Sequence, residues 1–118
     1  MKYICLGYLN MDQFDAEPEA VKDAIMTECF AQIVPFRATG KVVFEEGLQH
    51  SRQSKTIRPR KGQPIVTDGP FIETKEQLGS VFLVEADSIE EAIEVASLHP
   101  AALMGEEYGF GIEVRPLQ

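Results

Sequence analysis

His50 and His99 are the only imidazoles in the chain, and so the only side chains that ordinarily titrate near neutral pH. His99 follows a helical pattern directly and precedes Pro100. There it reads either as a helix stop or as a cation favoured by the helix dipole. His50 lies in the polar stretch 48–56 and is expected to face solvent. A carboxylate partner is offered by Thr67-Asp68-Gly69-Pro70-Phe71, the sharpest turn signal in the sequence. Asp68 can fix that turn by accepting backbone N–H groups two residues on. It can equally stand at a strand end as a general base beside a pocket, with Phe71 as an apolar wall that raises its pKa. The expected acid–base pair is Asp68 with His99, or with His50.

A second constellation surrounds the first. Arg52, Lys55, Arg58, Arg60 and Lys61 supply five of the eleven bases within ten residues, and no acid occurs from Gly47 to Thr67. The segment is +5 in a chain of −8. It reads either as a charged edge hairpin protected from aggregation or as a rim that attracts a small anion. On the second reading Arg58, Phe71, Lys75 and His50 are the ligand-binding candidates. Nucleic acid is not expected, because the run carries no interleaved aromatic residues and a pI near 4.7 would repel phosphate. The same charge argues against an anionic membrane surface.

Several chemistries have no residues to support them. There is no Gly-rich phosphate loop, no dinucleotide fingerprint and no Gly-x-Ser-x-Gly elbow. Cys5 and Cys29 lack metal-ligand spacing and read as reduced, buried thiols. No cofactor or metal is expected. No run approaches the ~18 apolar residues of a membrane helix, and the apolar run at residues 3–9 is too short for a secretory signal. The expectation is a soluble, cytoplasmic protein. With 118 residues, it forms one domain, 1–118.

The elements that must position these residues follow from periodicity. Residues 3–9 predict a strand, and polar residues 10–17 a loop. Pro18 opens a helix whose apolar positions Val21, Ile25, Cys29 and Ile33 keep helical spacing, with Pro35 and Gly40 bracketing its end. Residues 41–47 predict a second strand. Residues 56–59 and 64–67 predict an edge hairpin around Arg60-Lys61-Gly62-Gln63. Residues 72–77 form a short polar turn. Val81-Phe82-Leu83-Val84 is a buried strand, Ser88 to Glu91 is a capping box, and a helix follows up to His99-Pro100. Residues 109–115 alternate as the last strand. The order is that of a ferredoxin-like α+β fold, a split βαβ with an inserted hairpin. Two helices cover one face of such a sheet. The other face, carrying Val81 or Phe82 and Phe110 or its neighbours, would stay wet in a monomer, so a homodimer is expected.

Thr67-Asp68-Gly69-Pro70-Phe71-Ile72-Glu73-Thr74-Lys75-Glu76-Gln77-Leu78-Gly79 resembles the signature of the DGPF branch of the YCII-related protein family. Met1-Lys2-Tyr3, His99-Pro100-Ala101-Ala102 and Ile112-Glu113-Val114-Arg115-Pro116 are similar to that branch too, so the resemblance spans essentially the whole chain. It implies a dimeric α+β barrel. It implies small-molecule chemistry by a His/Asp pair in a cleft, with some relatives linked to breakdown of aromatic compounds and most of unknown function. It also implies a link to extracytoplasmic-function sigma factors. Two departures stand out: residues 18–36 hold no histidine, and His99-Pro100 stands where the smaller pattern has Asp-Pro. A small-molecule enzyme and a non-catalytic binding or regulatory module both remain open.

Overall fold

The computed structural model describes residues 1–118. Four antiparallel strands make the main sheet: β1 (Lys2–Leu9), β2 (Val42–Gly47), β5 (Gln77–Glu85) and β6 (Gly111–Pro116), in the order β2-β5-β1-β6. Between β1 and β2 run α1 (Met11–Asp15) and α2 (Glu19–Arg37); α3 (Ile89–Ala96) and the one-turn α4 (Pro100–Leu103) link β5 to β6. β3 (Lys55–Arg60) and β4 (Gln63–Asp68) pair only with each other, so the hairpin is a separate two-stranded sheet and not the expected edge of the main one. The mixed α+β class and the split βαβ order expected from the sequence are present.

Strand alternation decides what the sheet buries. Tyr3 and Cys5 of β1 and Phe82 and Val84 of β5 point to one face, where they are buried. Cys5 stands opposite Phe82 and Val114 across the strands. Phe36 of α2 and Ala92, Val95 and Ala96 of α3 close over them. The opposite face carries Ile4, Leu6, Val81 and Leu83 and contributes no buried residue. Of the two alternatives for that face, Val81 lies on it, and Phe82 belongs to the core.

Two local expectations are corrected. Residues 10–17 are not simply a loop, because Asn10 caps α1 by accepting the backbone N–H of Gln13 at 3.0 Å. Helix α2 ends at Arg37, between Pro35 and Gly40 as expected. His99 does more than stop a helix: α3 ends at Ala96, and His99 caps the next one, its Nδ1 accepting the Ala101 N–H at 3.0 Å with Pro100 at the first helical position. The Ser88 cap is as expected, its hydroxyl accepting the Glu91 N–H at 3.2 Å. The Glu91 carboxylate meets Lys41 Nζ at 2.7 Å.

The hairpin turns through Lys61 and Gly62, both at positive φ (51° and 77°). This pairing of signs matches the right-handed twist of two-residue hairpins. Its base is fastened to the Asp68-Gly69-Pro70-Phe71 segment. Thr56 Oγ1 donates to the Gly69 carbonyl at 2.7 Å, and Gly69 N–H donates to the Ser54 carbonyl at 2.8 Å. Gly69 sits at φ 95°, a region that favours glycine.

Helix α2 has one fully buried residue in nineteen, Phe36. That ring is its anchor to the sheet. Phe36→Ala is expected to lower unfolding stability by ~3–5 kcal/mol, read as a shift in denaturant midpoint. Phe36→Leu, which keeps most of the volume, should cost well under half as much.

Candidate functional site

Because α2 touches the sheet mainly through its C-terminal end, a cleft of about 440 Å³ remains between its inner side and the sheet. Met26, Cys29, Phe30 and Ile33 line it from the helix, and Gly7, Gly47 and Ser80 from the sheet. Its polar groups are few, as is usual for small-molecule sites. One is the ion pair Arg37–Glu45, in which Arg37 Nε lies 3.0 and 3.1 Å from the two carboxylate oxygens. The guanidinium hydrogen bond holds the Glu45 carboxyl below its usual range and raises the Arg37 pKa.

The other is His99. Its ring stacks on Phe82, with centroids 4.7 Å apart and planes 10° apart, and meets Phe36 edge-on at 5.0 Å. Burial pushes its pKa down to about 4, with Glu45 working in the opposite direction and Arg37 in the same one. The imidazole is therefore neutral at pH 7. Since Nδ1 accepts the Ala101 N–H, the neutral ring carries its proton on Nε2. His99 thus presents an uncharged N–H donor among apolar walls. The cationic form suggested by a helix C-terminus is overruled by desolvation, the larger effect here.

His50 and Asp68 occupy a different place. They line a polar cleft of about 700 Å³ with Lys75, Asp12, Arg52 and Glu73. His50 is not solvent-exposed as expected: its side chain retains 12% of its surface. Both ring nitrogens are engaged, Nδ1 with the Arg52 N–H at 3.1 Å and Nε2 with Asp12 Oδ1 at 2.8 Å. Asp68 is 87% exposed and meets Lys55 Nζ at 2.5 Å, directly opposite it in the hairpin. That hydrogen bond lowers the Asp68 pKa. Phe71 does not act as a wall that raises it; its ring lies 4.3 Å under the Arg58 guanidinium, which also donates to the Phe71 carbonyl at 2.8 Å.

The structure therefore brings Asp68, His50 and Lys75 into one cleft and Arg58 onto Phe71, and puts His99 in another cleft. Sequence reasoning missed Arg37 and Glu45. Their only early signal was a base in the last turn of a helix and an acid four residues into the following strand segment. Cys5 is buried and its thiol is pushed up to about 11 by desolvation; Cys29 is half-buried in the cleft wall, and both are free.

The YCII-related domain model matches residues 1–110. The chain belongs to the YCII-related family. An uncharacterised protein of Rhizobium meliloti (strain 1021) is 31% identical over 96 residues, which cover 81% of this chain and 77% of that one. Among solved structures, 5-chloro-2-hydroxyhydroquinone dehydrochlorinase (TftG) from Burkholderia phenoliruptrix AC1100, in complex with 2,5-dihydroxybenzoquinone, is 16% identical. The likeness covers 100% of this chain and 94% of that one, with a TM-score of 0.49. No helix of this YCII-related chain is long and apolar enough to cross a membrane.

Acidification tests the environment of His99. Between about pH 6.5 and 4 the unfolded chain binds a proton that the folded protein refuses, so stability falls as pH is lowered through that window. Denaturant unfolding between pH 7 and 5 stays above the range in which the depressed carboxyls of Glu45, Asp68 and Glu91 take up protons. Wild type is expected to lose stability steadily over that interval. His99→Asn, which keeps an acceptor at the cap, should flatten the slope.

Proposed function

We propose that this YCII-related protein is a small-molecule enzyme whose site is the cleft between α2 and the sheet. The observation that carries the reading is the state of His99: buried, neutral, locked by its Nδ1 acceptor, and free at Nε2. A neutral N–H can donate to a carbonyl or phenolic oxygen without placing a charge against Phe82 and Phe36. It then stabilises negative charge that builds on that oxygen during proton transfer. His50 lacks this capacity because both of its nitrogens are used within the chain. The cleft's apolar walls select a compact apolar or aromatic body. Arg37 supplies a cation for an anionic substituent, with Glu45 as its resting partner.

A second reading is a non-catalytic ligand-binding module, which would serve a sigma-factor pathway as the family resemblance implies. It is favoured by the tie between Glu45 and Arg37, since that pairing weakens the nearest carboxylate as a proton acceptor. On either reading the working unit is a homodimer. The bare apolar surface of Ile4, Leu6, Val81 and Leu83 suits a second copy of itself, because a two-fold contact needs only one self-complementary patch.

A panel of phenols and cyclic ketones, followed by proton NMR in D2O, separates the two readings. The enzyme reading expects exchange or conversion of at least one compound. It also expects a loss of about 10²-fold or more in His99→Asn. Chemical-shift changes at cleft residues with no exchange or conversion of any compound would favour the binding module.

A further inference from the structure

We propose that the β3–β4 hairpin is an arm that docks onto a second copy of this chain, in the groove between its α3 and β6. This inference stands apart from the reading of the His99 cleft. The hairpin has two unlike faces. Across one, Thr56 is buried and donates to the Gly69 carbonyl, while Arg58 lies exposed over the Phe71 ring. Across the other, the register stacks Ile57 against Val66 and Pro59 against Pro64. Nothing in the chain covers that side: Ile57 is 65% and Val66 60% exposed. Thr56 is the only buried residue of the two strands. A lone two-stranded hairpin is marginal in water, and this one pairs with no strand of the main sheet. It is fastened at its base and carries an apolar ribbon, with the cations Arg60 and Lys61 at the tip.

The chain carries a matching surface. Ile89, Ile93 and Ala96 of α3 and Ile112 and Val114 of β6 line an apolar groove of about 320 Å³. Ile93 remains 48% exposed there. β6 is an edge strand, so its outer backbone groups are available to another strand. Glu90 and Glu94 lie on the same helix and form no ion pair within the chain. Apolar ribbon meets apolar groove, basic tip meets acidic helix, and the body outside the basic segment is −13 against its +5. That charge complementarity points to a second copy rather than an unrelated partner. It also steers one copy toward another, despite a net charge of −8 on each.

The double variant Ile57→Glu/Val66→Glu tests the proposal, since both side chains are exposed in the isolated fold and should not disturb it; circular dichroism checks this. Light scattering gives the association state, and amide exchange at rising protein concentration gives the surfaces. In wild type, residues 57–66 and both walls of the groove are expected to gain protection together. The variant should lose that gain at both places and self-associate about tenfold or more weakly. High salt should weaken the wild-type contact. Protection confined to residues 4–6 and 81–83, a single-chain mass at every concentration, or unaltered association of the variant would each overturn the arm.

Discussion

Three rings hold this molecule's working parts together: Phe82 from the sheet, Phe36 from α2 and His99 from the start of α4. Phe36 and Phe82 meet edge to face at 4.9 Å, and His99 lies flat on Phe82. Aromatic pairs of these geometries add to the area they bury. Their placement matters more here than their energy. The cluster joins the layers at one end of α2, so the rest of that helix stands off the sheet and the cleft opens beneath it. The same burial that cements the cluster strips water from the imidazole and keeps it neutral. Anchor, cleft and proton-bearing nitrogen are thus one arrangement.

Charge is distributed with comparable economy. Most bases near the hairpin are already engaged: Lys55 with Asp68, Arg58 with Phe71, and Arg52 within 3.9 Å of Asp15. The Asp68-Gly69-Pro70-Phe71 turn uses its polar and aromatic groups to fasten the hairpin and to bury Thr56 at its base. Its chemistry is spent on architecture, and the hairpin's other face is left bare. Three apolar surfaces remain outside the core besides the His99 cleft: the back of the main sheet, the ribbon of the hairpin and the groove between α3 and β6. All three suit association between copies of the chain.

The polar cleft and the apolar cleft differ in what their histidines can still do. Around His50, a backbone N–H and an aspartate occupy both nitrogens, and the neighbouring charged side chains are exposed. Around His99, one nitrogen is committed and the other is not, in a cavity with few competing dipoles. A hydrogen bond in such surroundings is worth more than in water, which makes the second histidine the better chemical tool.

Local sequence determined most of the elements. Period-two and helical spacing placed the strands, α2 and α3, and Ser88 and Lys61-Gly62 marked a cap and a turn by chemistry confined to a few adjacent residues. The YCII-related membership was legible in the Asp-Gly-Pro-Phe signature for the same reason. A short-range signal also misled where a longer contact outweighed it: His50 lies in a polar stretch expected to face solvent, yet Asp12 holds its ring and most of its surface is covered. The site itself was decided by tertiary structure. His99 meets Phe82 across 17 positions of chain and Phe36 across 63, and His50 meets Asp12 across 38. Burial, and with it the protonation of an imidazole, depends on such distant neighbours, which no local spacing records. The sequence therefore named both histidines as candidates, and only the packing of the rings showed which one keeps a free nitrogen.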